Sequence, residues 1–242
     1  MEYKAYSFDL DDNLLKLPTK VKLKNKDGKI VEFSTLEYEE IFPKMGKFGF
    51  EVTKDSFSEF YDDEKFLIDL ENASLAGSFK NLETCIVKHA SIFSIITARG
   101  NSPKAIKEGL KKVIVKRLNS EKLEEFKESF IKKYGENYSK NSIDEVLDFY
   151  LEMCRFYPVN NKLIKEKFNL KDISELKSRC FSEFRDYVKK HVRENFGEDF
   201  EVKVGFSDDS IVHLNKMIND ILKEHGLFFF KTKDDGKDIL RI

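Results

Sequence analysis

The 242-residue chain has no tryptophan, three cysteines and four histidines, and each scarcity excludes something. Cys85, Cys154 and Cys180 are odd in number and far apart, matching neither a disulfide framework nor a close-set zinc signature, so reduced, buried thiols are expected. His89, His191, His213 and His225 show no ligand spacing and read as surface or core residues, His213 as a helix-surface one. No uninterrupted apolar run approaches the length of a membrane span, and the opening residues lack the apolar stretch of a secretory signal. An excess of one charge is missing too. With 43 basic and 44 acidic side chains the net charge is -1, so no global field draws nucleic acid or acidic membranes, and any polyanion site must be local. These absences describe a soluble, cytoplasmic protein with no membrane partner, and they leave its oligomeric state open.

What is present suits a globular chain long enough to bury a sizeable core, with 40% hydrophobic and 13% aromatic residues. Tyr3 to Leu10 reads as a short strand that ends in the acidic turn Asp9-Leu10-Asp11-Asp12-Asn13. Alternation at Val21–Lys24 and again at Ile30–Phe33, either side of Asn25-Lys26-Asp27-Gly28, predicts a two-stranded hairpin. Asp55 to about Lys80 is aromatic-rich and expected to be helical. Ser91 to Thr97 is a short, β-branched and aromatic run that fits a buried strand entering the loop Ala98-Arg99-Gly100-Asn101. Ser102 then caps a helix with Pro103 in its first position and Ile106, Leu110, Val113 and Ile114 turned inward.

Glu121 to Tyr138 is rich in lysine and glutamate, which predicts an exposed helix and a loop rather than core. Ser142-x-x-Glu145 is a capping box opening an amphipathic helix, and Phe156 to Val159 suits a short strand. Asp172 and Glu175 open a long helix with the stripe Ile173, Leu176, Cys180, Phe181, Phe184, Val188 and Val192. Phe200, Val202, Val204 and Phe206 alternate and run into Ser207-Asp208-Asp209, after which Ile211, Leu214, Ile218, Ile221 and Leu222 mark a helix and Leu227 to Phe230 a last strand. Strands alternating with helices predict an α/β fold with a mainly parallel sheet. Residues 14–80 and 119–171 are candidate inserts in a single domain spanning 1–242.

Three predicted strands stop at residues suited to phosphate chemistry: Asp9 and Asp11, Thr97, and Asp208 with Asp209. In a parallel sheet those ends share one edge, where ligands of open α/β sheets bind. Carboxylates from two strand ends form an oxygen-rich pocket for Mg²⁺, and crowding four of them together requires such a cation. Lys177 lies on the inward stripe of its helix, near the start, where an inward charge needs a carboxylate or phosphate partner; Lys189 shares its face with Arg185, Asp186 and Arg193 and is the second choice. Gly46-Lys47-Phe48-Gly49 lacks the following Gly-Lys-Ser/Thr of a phosphate loop and is set aside.

Phe8-Asp9-Leu10-Asp11-Asp12-Asn13 resembles the first motif of the haloacid dehalogenase-like superfamily, the strand ending in Thr97 resembles the second, and Gly205-Phe206-Ser207-Asp208-Asp209 resembles the paired-aspartate form of the fourth. The resemblance covers these separated segments of the core and nothing specific between them. It implies that Asp9 attacks phosphorus to give an aspartyl phosphate while Asp11 protonates the leaving oxygen and later activates water. It further implies Mg²⁺ held by Asp9, the Asp11 carbonyl, Asp208 and Asp209, a phosphoryl hydrogen bond from Thr97, and one lysine as third motif, with Lys177, Lys189, Lys190 and Lys203 the candidates and Lys177 the first choice; residues 14–80 would then be a flap or cap and 119–171 a helical insert of a single catalytic domain spanning 1–242. Asn13 stands where the family often has threonine and would brace the turn; Arg99 is a candidate for orienting the substrate phosphate through its fork of donors, or else a solvated loop residue. The implied activity is hydrolysis of a small phosphomonoester. A phosphotransferase, a nucleic-acid end phosphatase, a receiver-like switch and a non-catalytic binding module are the alternatives.

Overall fold

The computed structural model describes residues 1–221, 225–232 and 239–241. Its centre is a six-stranded sheet in the order Ile239–Arg241, Leu227–Thr232, Glu201–Asp208, Glu2–Phe8, Phe93–Thr97, Arg155–Pro158. Five of the strands are parallel, and the edge strand Ile239–Arg241 runs antiparallel. The fold is therefore α/β, with helices on both faces.

Side-chain alternation explains the two layers. Along Glu2–Phe8, Tyr3 and Ala5 enter one core with Ile92 and Ile96, while Phe8 enters the other with Phe93 and Ile95. The first of these cores lies under the helices Ile173–Phe196 and Ile211–Ile221, the second under Phe79–Val87, Pro103–Arg117, Ser120–Tyr134 and Ile143–Met153. From Glu2–Phe8 the chain steps outward to Phe93–Thr97 and Arg155–Pro158, then returns to build on the opposite side with Glu201–Asp208 and Leu227–Thr232. The order thus reverses between Glu2–Phe8 and Glu201–Asp208. Brackets of this kind open a crevice at the carboxyl ends of the two strands.

Register places the acidic residues at that crevice. Phe8 pairs with Ser207 on one side and Ile95 on the other, so Asp9 and Asp208 follow adjacent strand positions, with Thr97 on the third strand end. The Asp9 amide donates to the Ser207 carbonyl at 2.9 Å, which keeps the two ends in step.

Much of the pattern-based reading is seen directly. The hairpin pairs Val21–Lys24 with Ile30–Phe33, and Asn25 accepts through its side chain from the Asp27 and Lys29 amides. Ser102 caps Pro103–Arg117, the Ser142–Glu145 box caps Ile143–Met153, and Asp172 caps Ile173–Phe196. The three cysteines are reduced and buried. Leu222 lies outside the described residues.

Other expectations need correction. Asp55 to Lys80 is not one helical stretch: helix Asp63–Glu71 is followed by the short strand Ser74–Leu75, which pairs with Leu15–Lys16, before helix Phe79–Val87 begins. Helix Ser120–Tyr134 is not merely exposed. Phe126 and Phe130 are buried against Tyr150 in the core, because the helix's aromatic positions, Phe126, Phe130 and Tyr134, recur every four residues on one face while the charges occupy the other. These lysine-rich helices are anchored away from the acidic strand ends. Lys133 donates to the His89 carbonyl and Tyr150 to the Ser91 carbonyl, at the opposite edge of the sheet from Thr97. Among the described residues no helix is long and apolar enough to cross a membrane.

Candidate active site

Lys177 is raised to the centre of the site by the first turns of helix Ile173–Phe196, with a side chain 2% exposed. Its ammonium donates to Asp9 Oδ1 at 2.8 Å and to Asp208 Oδ2 at 2.7 Å. Lys189, one face away, is exposed to solvent. Carboxylate oxygens of Asp9, Asp208 and Asp209 all lie within 4.8 Å of one another. Asp208 also accepts from the Ser210 amide at 2.9 Å, a local bond that fixes its rotamer as helix Ile211–Ile221 begins.

The electrostatics are unbalanced. Three carboxylates face one ammonium, and burial opposes charge on each. Desolvation pushes the Asp9 carboxyl well above the usual range, with Lys177 pulling against it and Asp208 adding to it. Asp209 is likewise pushed well up by burial and by Asp208 and Asp9. Asp208 is buried as well, yet Lys177 and His213 together hold it below the ordinary range. Lys177, although buried, is held above the ordinary lysine range by Asp208 and Asp9. With all three carboxylates ionised, as a bound cation would make them, the ammonium would leave two negative charges uncompensated, and the donors are all hard oxygens, so the set fits a divalent hard cation.

The fourth acidic residue does not join this cluster. Asp11 turns its carboxylate to Arg99, which donates from Nε at 2.9 Å and from Nη2 at 2.7 Å. Thr97, fully buried, donates to the same carboxylate at 3.4 Å. The expectation of four carboxylates crowded round one ion is therefore reduced to three, with Asp11 able to contribute its backbone only. Arg99 is not a solvated loop residue either; it is 0% exposed, and its fork is occupied by Asp11 and by the Thr19 hydroxyl at 2.7 Å.

Asn13 braces more than its own turn. Its amide donates to the Asp9 carbonyl at 2.9 Å and to Ser207 Oγ at 3.1 Å, while its Oδ1 accepts from Ser78 at 2.9 Å and Thr232 at 2.6 Å. One buried side chain thus ties together the first strand end, strand Glu201–Asp208, the start of helix Phe79–Val87 and strand Leu227–Thr232. Asp12, next to it, takes the left-handed conformation with φ 55°, which aspartate tolerates better than most residues, and its carboxylate accepts from the Thr35 hydroxyl.

Several participants carried no sequence signal. Thr19, Asp69, Phe60 and Phe66 around Arg99, and Ser78 and Thr232 on Asn13, are brought in only by pairings across distant segments. His213, expected on the helix surface, is largely buried, with Nδ1 3.5 Å from Asp208 Oδ2. Spacing gave a hint there, since it sits one turn after Asp209.

No family model, curated protein or solved structure matches the chain. What the site does must therefore be argued from its own chemistry.

Proposed function

We propose that the protein is a Mg²⁺-dependent phosphohydrolase that cleaves a phosphomonoester through an aspartyl phosphate on Asp9. One observation carries the reading: a buried lysine bridges the aspartates that end two adjacent parallel strands, at the point where the strand order reverses. A structural ion pair needs one carboxylate for one lysine. Three carboxylates on one lysine, at a crevice of the sheet, suit a site made for a cation and a phosphate together. The motif resemblance to the haloacid dehalogenase-like superfamily supports the same reading.

Asp9, Asp208 and Asp209 would hold Mg²⁺, with the Asp11 carbonyl as a further donor. The ion would offset the negative charge of the carboxylates and of the phosphoryl group when both are present. In the first step an Asp9 oxygen attacks phosphorus, the bond from phosphorus to the leaving oxygen breaks, and that oxygen takes the proton of Asp11. In the second, water attacks phosphorus, Asp11 takes its proton, and the Asp9 carboxylate leaves. The products are an alcohol and inorganic phosphate. Lys177 keeps Asp9 oriented and supplies positive charge as the phosphoryl group arrives, and the Thr97 hydroxyl, whose bond to Asp11 is long at 3.4 Å, would turn from it to donate to a phosphoryl oxygen.

The segment 14–80 is the natural substrate-recognising element. The Thr35 hydroxyl, at the start of helix Thr35–Ile41, donates to the Asp12 carboxylate, so this helix flanks the crevice. We read the hairpin and this helix as a flap over a small phosphorylated substrate. The test is hydrolysis of 4-nitrophenyl phosphate with and without Mg²⁺, in the natural chain and in Asp9→Asn. Mg²⁺-dependent turnover lost in Asp9→Asn is expected; turnover retained in that variant would remove Asp9 as nucleophile.

A further inference from the structure

Arg99 is held by more of the molecule than a substrate anchor requires. It is wholly buried, and both the Nε and Nη2 donors of its fork are spent on Asp11. Nη2 also donates to Thr19 Oγ1, which donates in turn to Asp69 Oδ2 at 2.6 Å, and Lys65 pairs with Asp69. The guanidinium carbon lies 4.9 Å from the ring centre of Phe60 and 5.0 Å from that of Phe66. Apart from Asp11, all of these partners belong to the segment 14–80. The same segment is locked beside Arg99 by the Gly100 amide, which donates to the Phe60 carbonyl at 2.9 Å, and by Asp63, which accepts from the Ser102 amide at 2.9 Å.

Two roles compete for this residue. Its remaining nitrogen, Nη1, is buried without a hydrogen-bond partner and would suit a phosphoryl oxygen. Against that, the paired edge of the fork, the donor edge that recognises a planar carboxylate, is already committed to Asp11. Proton transfer to a leaving oxygen demands tight placement of the acid, and a lone aspartate on a turn does not hold its carboxylate plane by itself.

We infer that Arg99 is a positioning residue: it fixes the orientation of the Asp11 carboxylate for proton transfer to the leaving group, and segments of 14–80 hold Arg99 in turn. This rests on the phosphohydrolase reading above. It gives that segment a second task beside flanking the crevice, since the acid is oriented only where Thr19, Asp69, Phe60 and Phe66 are in place. Lysine in place of Arg99 keeps the charge and loses the fork.

Two matched substrates separate the roles. 4-Nitrophenyl phosphate expels a phenolate that needs no proton, whereas 4-nitrobenzyl phosphate expels an alkoxide that does, and kcat/KM reports the step in which each leaves. Arg99→Lys should lower kcat/KM for the benzyl ester by roughly 100-fold and for the phenyl ester by no more than about threefold, the size expected for a misplaced general acid. Thr19→Val, a change of similar shape, should show the same selectivity at smaller amplitude, and keeps the test sound if Arg99→Lys folds poorly. Equal losses on both esters overturn the inference. So does unchanged kcat with raised KM and weakened inhibition by inorganic phosphate, which would make Arg99 a phosphate anchor. Turnover by the natural chain reports on the hydrolase reading separately, so either idea can fail without being mistaken for the other.

Discussion

Lys177 and Asp9 are 168 residues apart in the chain and meet at 2.8 Å in a place that excludes solvent. The pair is not self-contained, because the same ammonium serves Asp208 at 2.7 Å and Asp209 stands beside both carboxylates. A buried lysine shared in this way holds two strand ends together and still leaves negative charge in excess. Structure and chemistry are thus coupled at one atom.

Removing that atom should be costly. Lys177→Met leaves Asp9 and Asp208 buried without their counterion, and urea unfolding should show a loss of about 3 kcal/mol. Added Mg²⁺ should recover part of it. Lys189→Met, at an exposed position, should change stability by less than about 0.5 kcal/mol.

A cation that binds only the folded cluster must stabilise it by mass action. Mg²⁺ at about one hundred times its dissociation constant should add roughly 2.7 kcal/mol, visible as a rise in Tm, and chelation should reverse it. Asp208→Asn and Asp209→Asn should each abolish or sharply weaken the rise. A rise that persists in both would place the ion elsewhere.

Asn13→Ala empties a position that four segments share. It leaves the Asp9 carbonyl and the hydroxyls of Ser207, Ser78 and Thr232 short of a partner, and the expected loss is about 2 kcal/mol in chemical denaturation. Because the bond to the Asp9 carbonyl is lost, turnover should fall as well.

Phe126→Ala tests the placement of helix Ser120–Tyr134. A fully buried phenyl ring removed from the core should cost about 3 to 5 kcal/mol. Since this helix anchors at the far edge of the sheet, kcat and KM measured well below the melting point should stay near those of the natural chain. An unchanged Tm would return the helix to the surface.

How much of this was legible depends on whether the signal was local. Asp9, Thr97 and Asp208 stood out because each ends an apolar run, and strand ends in a parallel sheet share an edge by geometry. Lys177 stood out because counting along its own helix put a charge among apolar residues. Arg99 stood out only as a phosphate donor or a solvated loop residue, since nothing near it in sequence reveals that Asp11, Thr19 and two phenylalanines close round it. Ser78 and Thr232 were silent for the same reason: their common partner, Asn13, is 65 and 219 residues away. Phe126 and Phe130 were hidden by the lysines and glutamates around them, which average the helix to a polar one although its faces differ.

Lys133 offers a pH test remote from the site. It donates to the His89 carbonyl and Ser91 hydroxyl beneath the Tyr3 ring, and burial lowers its pKa from 10.5 to about 8. Between those values the unfolded chain binds a proton that the folded chain lacks, so this group makes stability rise with pH from about 8 to 10.5. Below 8 both forms are charged and the penalty of burying the ammonium is fully present. Lys133→Met should flatten that rise in unfolding experiments across this range; an identical pH dependence in both proteins would show that Lys133 is not the group responsible.

The central claim is a covalent bond at one aspartate, and rapid acid quenching tests it most directly. The chain is mixed with a ³²P-labelled phosphomonoester and Mg²⁺, quenched within the first turnover, and its peptides are mapped. The account predicts acid-stable, base-labile label on the peptide that contains Asp9, and none in Asp9→Asn. Turnover without labelled protein, or label on any other residue, would contradict it.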